Sequence, residues 1–209
     1  MSGLRQLTIL IMTFIAVGVV NAKGYKEGVE YERISPAVAT SSPGKVEVVE
    51  MFWYGCPHCF QFEPHLQKWL KKKPANVEFI RIPATFNALW KLHARMYYTA
   101  QILGIGKKLH QPLFDAYHLE RNRLDTDQKI REFFVKHGVK ASDFDDTFHS
   151  FAVETRLARA VDLSQRYGIN GVPTMIVNGK YRTTNKAPGH AGMLDVVDYL
   201  IKQESKKAK

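Results

Sequence analysis

Cys56-Pro57-His58-Cys59 holds the only two cysteines in a chain of 209 residues. Set in the first turn of a helix, two sulfurs three positions apart are close enough to bond to each other. The start of a helix carries partial positive charge and unpaired N–H groups, which favour an anion. A thiolate at Cys56 would be that anion, so its acidity should exceed that of a free thiol. Cys59, one turn further in, should be the more buried of the two and act as the resolving thiol. His58 can add a hydrogen bond or positive charge toward the thiolate. Pro57 suits a first helical position, where its missing N–H would have had no partner. A stabilised thiolate stabilises the dithiol form, which makes the disulfide a readier donor.

Other uses of the pair fare worse. A disulfide closing so short a loop removes little unfolded-chain entropy and is a poor brace. A zinc site would need further Cys or His ligands at suitable spacing, and no second pair exists. His65, the nearest extra histidine, reads as helix surface, so no metal is expected. Haem attachment would need histidine directly after Cys59, where Phe60 stands.

Such a pair must be positioned by something. Val46 to Phe52 reads as a buried strand, because β-branched residues dominate a nearly continuous apolar run. Gly55 ends it, and a helix starts near Cys56 and runs through Phe62, Leu66, Trp69 and Leu70, bent by Pro64. Val77 to Ile82 forms the next strand, stopped by Pro83, which completes a βαβ unit with parallel pairing. A short earlier strand is expected over Val29 to Ile34. From about Phe86 to Tyr167 the pattern is helical. Asp125 with Gln128 offers a capping box, Gly138 closes a turn, and Val153, Leu157 and Val161 stripe a longer helix ending at Gly168. Thr174–Val177 and Lys180–Arg182 are short strands joined by Asn178-Gly179, a strong hairpin signal. A last helix covers about Met193 to Gln203. The outline is an α/β domain split by an inserted all-helical one, with boundaries at 23–84, 85–168 and 169–209.

The first 22 residues form a separate unit. Arg5 leads into the apolar run Leu7 to Val20, and Val20-Asn21-Ala22 offers small or modest side chains for cleavage after Ala22. An uncleaved anchor is the alternative, but the run is short for a span of about 20 apolar residues. Export would place the cysteines where disulfides persist. A hydrophobic fraction of 45% supports a sizeable core, and the net charge of +10 is dispersed, with small concentrations at Lys71–Lys73 and in the tail. No basic stripe with interleaved aromatics appears, so nucleic acid is not an expected partner.

The segment Phe52-Trp53-Tyr54-Gly55-Cys56-Pro57-His58-Cys59-Phe60-Gln61-Phe62-Glu63 closely resembles the active site of the DsbA family, periplasmic protein-disulfide oxidants of Gram-negative bacteria. Gly171-Val172-Pro173 and Val177-Asn178-Gly179-Lys180-Tyr181 look like that family's later segments. The likeness covers essentially the whole mature chain. It implies a thioredoxin-like fold interrupted by a helical insertion, and an acidic, strongly oxidising cysteine pair is a known property of that family. It also implies reduced or unfolded exported clients, reoxidation by a quinone-linked DsbB-like membrane protein, and no cofactor beyond the Cys56–Cys59 disulfide.

Three further positions gain meaning from the resemblance. Glu50 lies in an apolar strand, where an isolated carboxylate is costly. From the sequence it is either a strand end or a functional acid, and thioredoxin-like proteins often carry an acid beneath the cysteines. Arg81 aligns with a basic position of the family and is a possible partner for Glu50. Val172-Pro173 would by default be a trans turn. In thioredoxin-fold proteins it is a cis proline facing the redox pair, with the Val172 backbone free to pair with an extended client. Phe133, Phe134, Phe144, Phe148 and Phe151 are expected in the core, with a client groove as the alternative. Trp53 and Tyr54 stand next to the cysteines and tune either packing or client choice. Rival functions are an isomerase or reductase on the same fold, a non-catalytic chaperone, and an oxidant specialised for a few clients.

Overall fold

The computed structural model describes residues 24–183 and 189–207, so the expected leader lies outside the described residues. Five strands form one mixed sheet in the order β1-β5-β4-β2-β3. They are β1 (Tyr31–Arg33), β2 (Val46–Phe52), β3 (Val77–Pro83), β4 (Thr174–Val177) and β5 (Tyr181–Thr183). β2 pairs parallel with β3 and antiparallel with β4, and every one of its residues is buried. That interior place explains its nearly continuous apolar run.

Between β2 and β3 runs α1 (Pro57–Leu70), with Pro64 inside it as the sequence indicates. Between β3 and β4 come α2 (Ala88–Ile102), α3 (Gly106–His118), α4 (Asp127–Lys136), α5 (Ala141–Phe148) and α6 (Phe151–Arg166). The chain closes with α7 (Gly189–Lys207), longer than the periodicity suggests at both ends. In the β4–β5 hairpin, Asn178 at φ 54° and Gly179 at φ 64° are both left-handed. The type I′ turn that matches strand twist requires this conformation at both positions.

Side chains alternate across the sheet, and the alternation sorts the core. Val46 and Val48 face α1 and α7, packing with Phe62, Leu66, Val197 and Leu200. Val49 and Met51 face the other way, against Ala160 and Leu163 of α6 and Tyr167 just after it. A third cluster joins Phe52, Tyr54 and both cysteines to Met96, Leu113, Phe114, Phe134, Phe144 and Phe148 of the helical segment.

Two local expectations are corrected. The cap of α4 is Thr126, whose side chain accepts the Lys129 N–H, rather than an Asp125–Gln128 box. Thr126 has the extended backbone a cap needs, while Asp125 pairs with the Lys129 ammonium instead. Phe151 is not core: it is 87% exposed, whereas Phe133, Phe134, Phe144 and Phe148 are all buried. It sits at the first turn of α6, outside the buried face made by Val153, Ala160 and Leu163. Leu157 and Val161 flank that face, half-buried.

Candidate functional site

The strand β2 ends at Phe52, and Trp53 to Cys56 form a tight turn closed by the Cys56 N–H donating to the Trp53 carbonyl at 3.0 Å. Gly55 is required there, because a Cβ would run into the Trp53 indole. That indole cannot yield easily: it stacks on Trp90 at 4.3 Å and donates to His93 Nδ1 at 3.0 Å. Indole nitrogen only donates, so His93 carries its proton on Nε2 and donates to the Arg123 carbonyl at 3.0 Å. Burial holds the His93 imidazole down to about 4.

Cys56 is the N-cap of α1, in extended conformation, with Pro57 at the helix start. Cys56 and Cys59 are free thiols, Cys56 7% exposed and Cys59 fully buried. The Cys56 thiol is lowered to about 6, chiefly by the hydrogen bond from the Cys59 thiol. Burial opposes this, and the backbone N–H groups of Cys59 and His58 reinforce it, with a smaller contribution from the His58 imidazole. The largest effect is therefore the second thiol, with the helix start and His58 in support. Burial pushes Cys59 up well above an ordinary thiol, and donating to Cys56 pushes it further. The pair is split into a ready anion and a proton holder.

Across from the pair, the Val172-Pro173 bond is cis, and the Cys56 Sγ lies 3.3 Å from the Val172 carbonyl, donating to it when protonated. Val172 and Pro173 also line a groove with Ile169, Asn170, Gly171 and Thr174.

Beneath the pair lies a buried ionic cluster that follows from periodicity and register. Glu50 shares the face of Val46 and Val48, so it points at α1, and Arg81 is its direct neighbour on β3. The face of α1 that meets the sheet is Cys59, Phe62, Glu63 and Leu66, at helical spacing. Arg81 Nε donates to Glu50 at 2.8 Å, and its Nη2 reaches both oxygens of Glu63 at 2.9 Å. Gln67 also donates to Glu63 at 2.6 Å. One guanidinium serves two carboxylates, and Glu63 holds more of the donors.

The two acids consequently diverge. Burial raises the Glu50 carboxyl to about 7; Arg81 pulls it back and the Glu63 charge pushes it up again. Burial also raises Glu63, but His110, Arg81 and Gln67 together bring it to about 2. Glu50 thus holds or releases a proton near neutrality, and its charge is felt by Cys59. His110 Nδ1 shares a 3.0 Å hydrogen bond with the Tyr54 hydroxyl, and Nε2 stands 3.5 Å from Glu63 with no closer partner among the described residues. Burial pushes the His110 imidazole down.

The structure brings Cys56, Pro57, His58, Cys59, Glu50, Arg81, Val172 and Pro173 into one place. His58 is exposed at its edge. Sequence reasoning gave no role to Glu63, His93, His110 or His118. A carboxylate on the apolar stripe of α1 was the available signal for Glu63. The histidines had none stronger than their position in helices. Among the described residues no group of three or more His, Cys, Asp and Glu side chains is arranged to hold a metal.

A family model described as a DSBA-like thioredoxin domain matches residues 80–200. The thiol:disulfide interchange protein DsbA of Pseudomonas aeruginosa is 40% identical over 210 residues, covering 100% of both chains. That of Azotobacter vinelandii is 43% identical over 180 residues, covering 86% of this chain and 84% of its own. The crystal structure of the Pseudomonas aeruginosa protein superposes with a TM-score of 0.84 at 42% identity, covering 88% of this chain and 96% of that one.

Proposed function

The chain belongs to the DsbA family of thiol:disulfide interchange proteins, and on that premise we propose that it acts in the periplasm, donating its Cys56–Cys59 disulfide to newly exported proteins. A client thiolate attacks the Cys56 sulfur, forming a mixed disulfide and releasing Cys59 as a thiolate. Cys59 then takes a proton, for which Glu50, buried, titrating near 7 and acting on Cys59 through its charge, is the donor. A second client thiolate attacks the client's sulfur in the mixed disulfide. The new disulfide leaves with the client, and the two electrons remain on the enzyme as the dithiol. Cys56 departs as a thiolate, the form its surroundings favour.

The observation that carries this reading is the asymmetry of the two thiols, Cys56 lowered to about 6 and Cys59 raised, beside the Val172 carbonyl. A peptide extended along Val172 would read main chain more than side chains, which suits many unfolded clients. A quinone-linked DsbB-like membrane protein is the proposed reoxidant, and the cysteine pair itself the only redox group. Equilibration in graded glutathione buffers tests the direction: a potential at the oxidising end of the thioredoxin-fold range is expected. Cys59→Ala should then accumulate mixed disulfides with exported clients. A strongly reducing potential would overturn the donor role. Retained activity with both cysteines replaced by serine would point to a chaperone instead.

A further inference from the structure

We propose that His118 is a positioning residue for the exchange reaction, holding from a single imidazole the turn before Cys56 and the ring after Cys59. The turn from Trp53 to Cys56 has Tyr54 and Gly55 at its centre. Its side chains are tied to the helical segment by His93, through Trp53, and by His110, through the Tyr54 hydroxyl. His118 grips the main chain. Its Nε2 lies 2.8 Å from the Tyr54 carbonyl, and because a carbonyl only accepts, Nε2 must carry the proton.

The same ring stacks on Phe60 at 4.7 Å and 15°. Tyr54 stands two residues before Cys56, and Phe60 directly follows Cys59. One side chain therefore brackets the redox pair from both ends. Its base is firm, since His118 is the last residue of α3, whose Leu109, Leu113 and Phe114 are fully buried with Phe52 and Tyr54.

A grip on this turn acts unequally on the two redox forms. The N–H groups of His58 and Cys59 help only a Cys56 that carries charge, and they help only while Cys56 is held against the helix start. Loosening the turn costs the thiolate those hydrogen bonds, while the disulfide has no charge to lose. The dithiol form loses stability relative to the disulfide, and the pair becomes less oxidising.

Three variants separate the ring from its N–H: His118→Phe keeps a stacking ring without a donor, His118→Gln keeps a donor without a ring, and His118→Ala removes both. The readouts are the glutathione equilibrium constant, the pH midpoint of thiolate absorbance, and the thermal midpoint of the oxidised form. Phe and Ala should make the pair about fivefold less oxidising, the size of one net hydrogen bond, and raise the thiolate midpoint. Gln should restore most of both. A Phe variant matching the native protein overturns the proposal, as does a Gln variant no better than Ala. Shifts confined to the thermal midpoint would reduce His118 to packing. Should the Phe variant not fold, the Gln and Ala variants decide the matter by the same readouts. The proposal rests on Cys56 as the exchanging thiol. Failure of the native protein to exchange with glutathione would refute that reading, whereas native exchange unaltered in the variants would refute only the role of His118.

Discussion

At the scale of single residues, the chemistry comes from two thiols pulled in opposite directions. Cys59 is kept protonated by burial and spends its proton on Cys56, which falls from the ordinary 9.0 to about 6. A titration of the reduced protein at 240 nm should show that midpoint. The shift also sets a stability profile. The folded value lies below the unfolded one, so the thiolate's contribution is fully present above about pH 9 and is lost as pH falls through about 6. The oxidised protein has no such group. Denaturation of the two forms should therefore show the reduced form gaining on the oxidised form between pH 5 and pH 9. A pH-independent difference would contradict the thiolate assignment. This much was legible in the sequence, because Cys-Pro-His-Cys at a strand-to-helix junction specifies both sulfurs and the local field. The dominance of the Cys59 hydrogen bond was not, since it depends on where a buried thiol points.

At the scale of elements, β2, β3 and α1 each contribute one charged residue to a buried cluster: Glu50, Arg81 and Glu63. None can leave without exposing the others to a medium that solvates charge poorly. Arg81→Met should cost about 3–5 kcal/mol by leaving two buried carboxylates without their cation. The loss has a pH signature. Glu50 titrates above its unfolded value, so its protonated form stabilises the fold at low pH, and that benefit is lost as pH rises through about 7. Chemical denaturation should find Arg81→Met more damaging at pH 8 than at pH 5, and an equal loss at both would refute the account. The strands and the hairpin were legible because β-branched runs and Asn178-Gly179 are local signals. Glu63 was not, because its meaning appears only when the buried face of α1 is laid over the register of β2 and β3. The cap of α4 was misplaced by one residue, since Asp125 and Thr126 are both competent and only backbone geometry chooses between them.

At the scale of the whole molecule, the helices between β3 and β4 share a core with the cysteines. Phe114 is fully buried and meets Phe52, Tyr54 and Phe60. Its truncation to alanine should destabilise the protein by about 3–5 kcal/mol. Shared packing of this kind predicts one unfolding transition. Tryptophan fluorescence, from Trp53 beside the cysteines together with Trp69 and Trp90, and helical circular dichroism should therefore lose their signals together in denaturant. Two separated transitions would show that the insertion folds by itself. Phe151 marks the limit of reading a core from composition: an aromatic at a helix start was expected inside and lies 87% exposed.

The 3.3 Å between Cys56 Sγ and the Val172 carbonyl has a consequence for what the protein can know about its clients. A sulfur atom and a stretch of main chain are common to every cysteine-bearing polypeptide, so a site that reads only these carries almost no information about sequence. What distinguishes one candidate from another is then history. A cysteine still in an extended, unpacked segment can reach both points at once, and one already folded away cannot. In the proposed donor role the molecule would in effect read a clock, selecting chains by how recently they arrived.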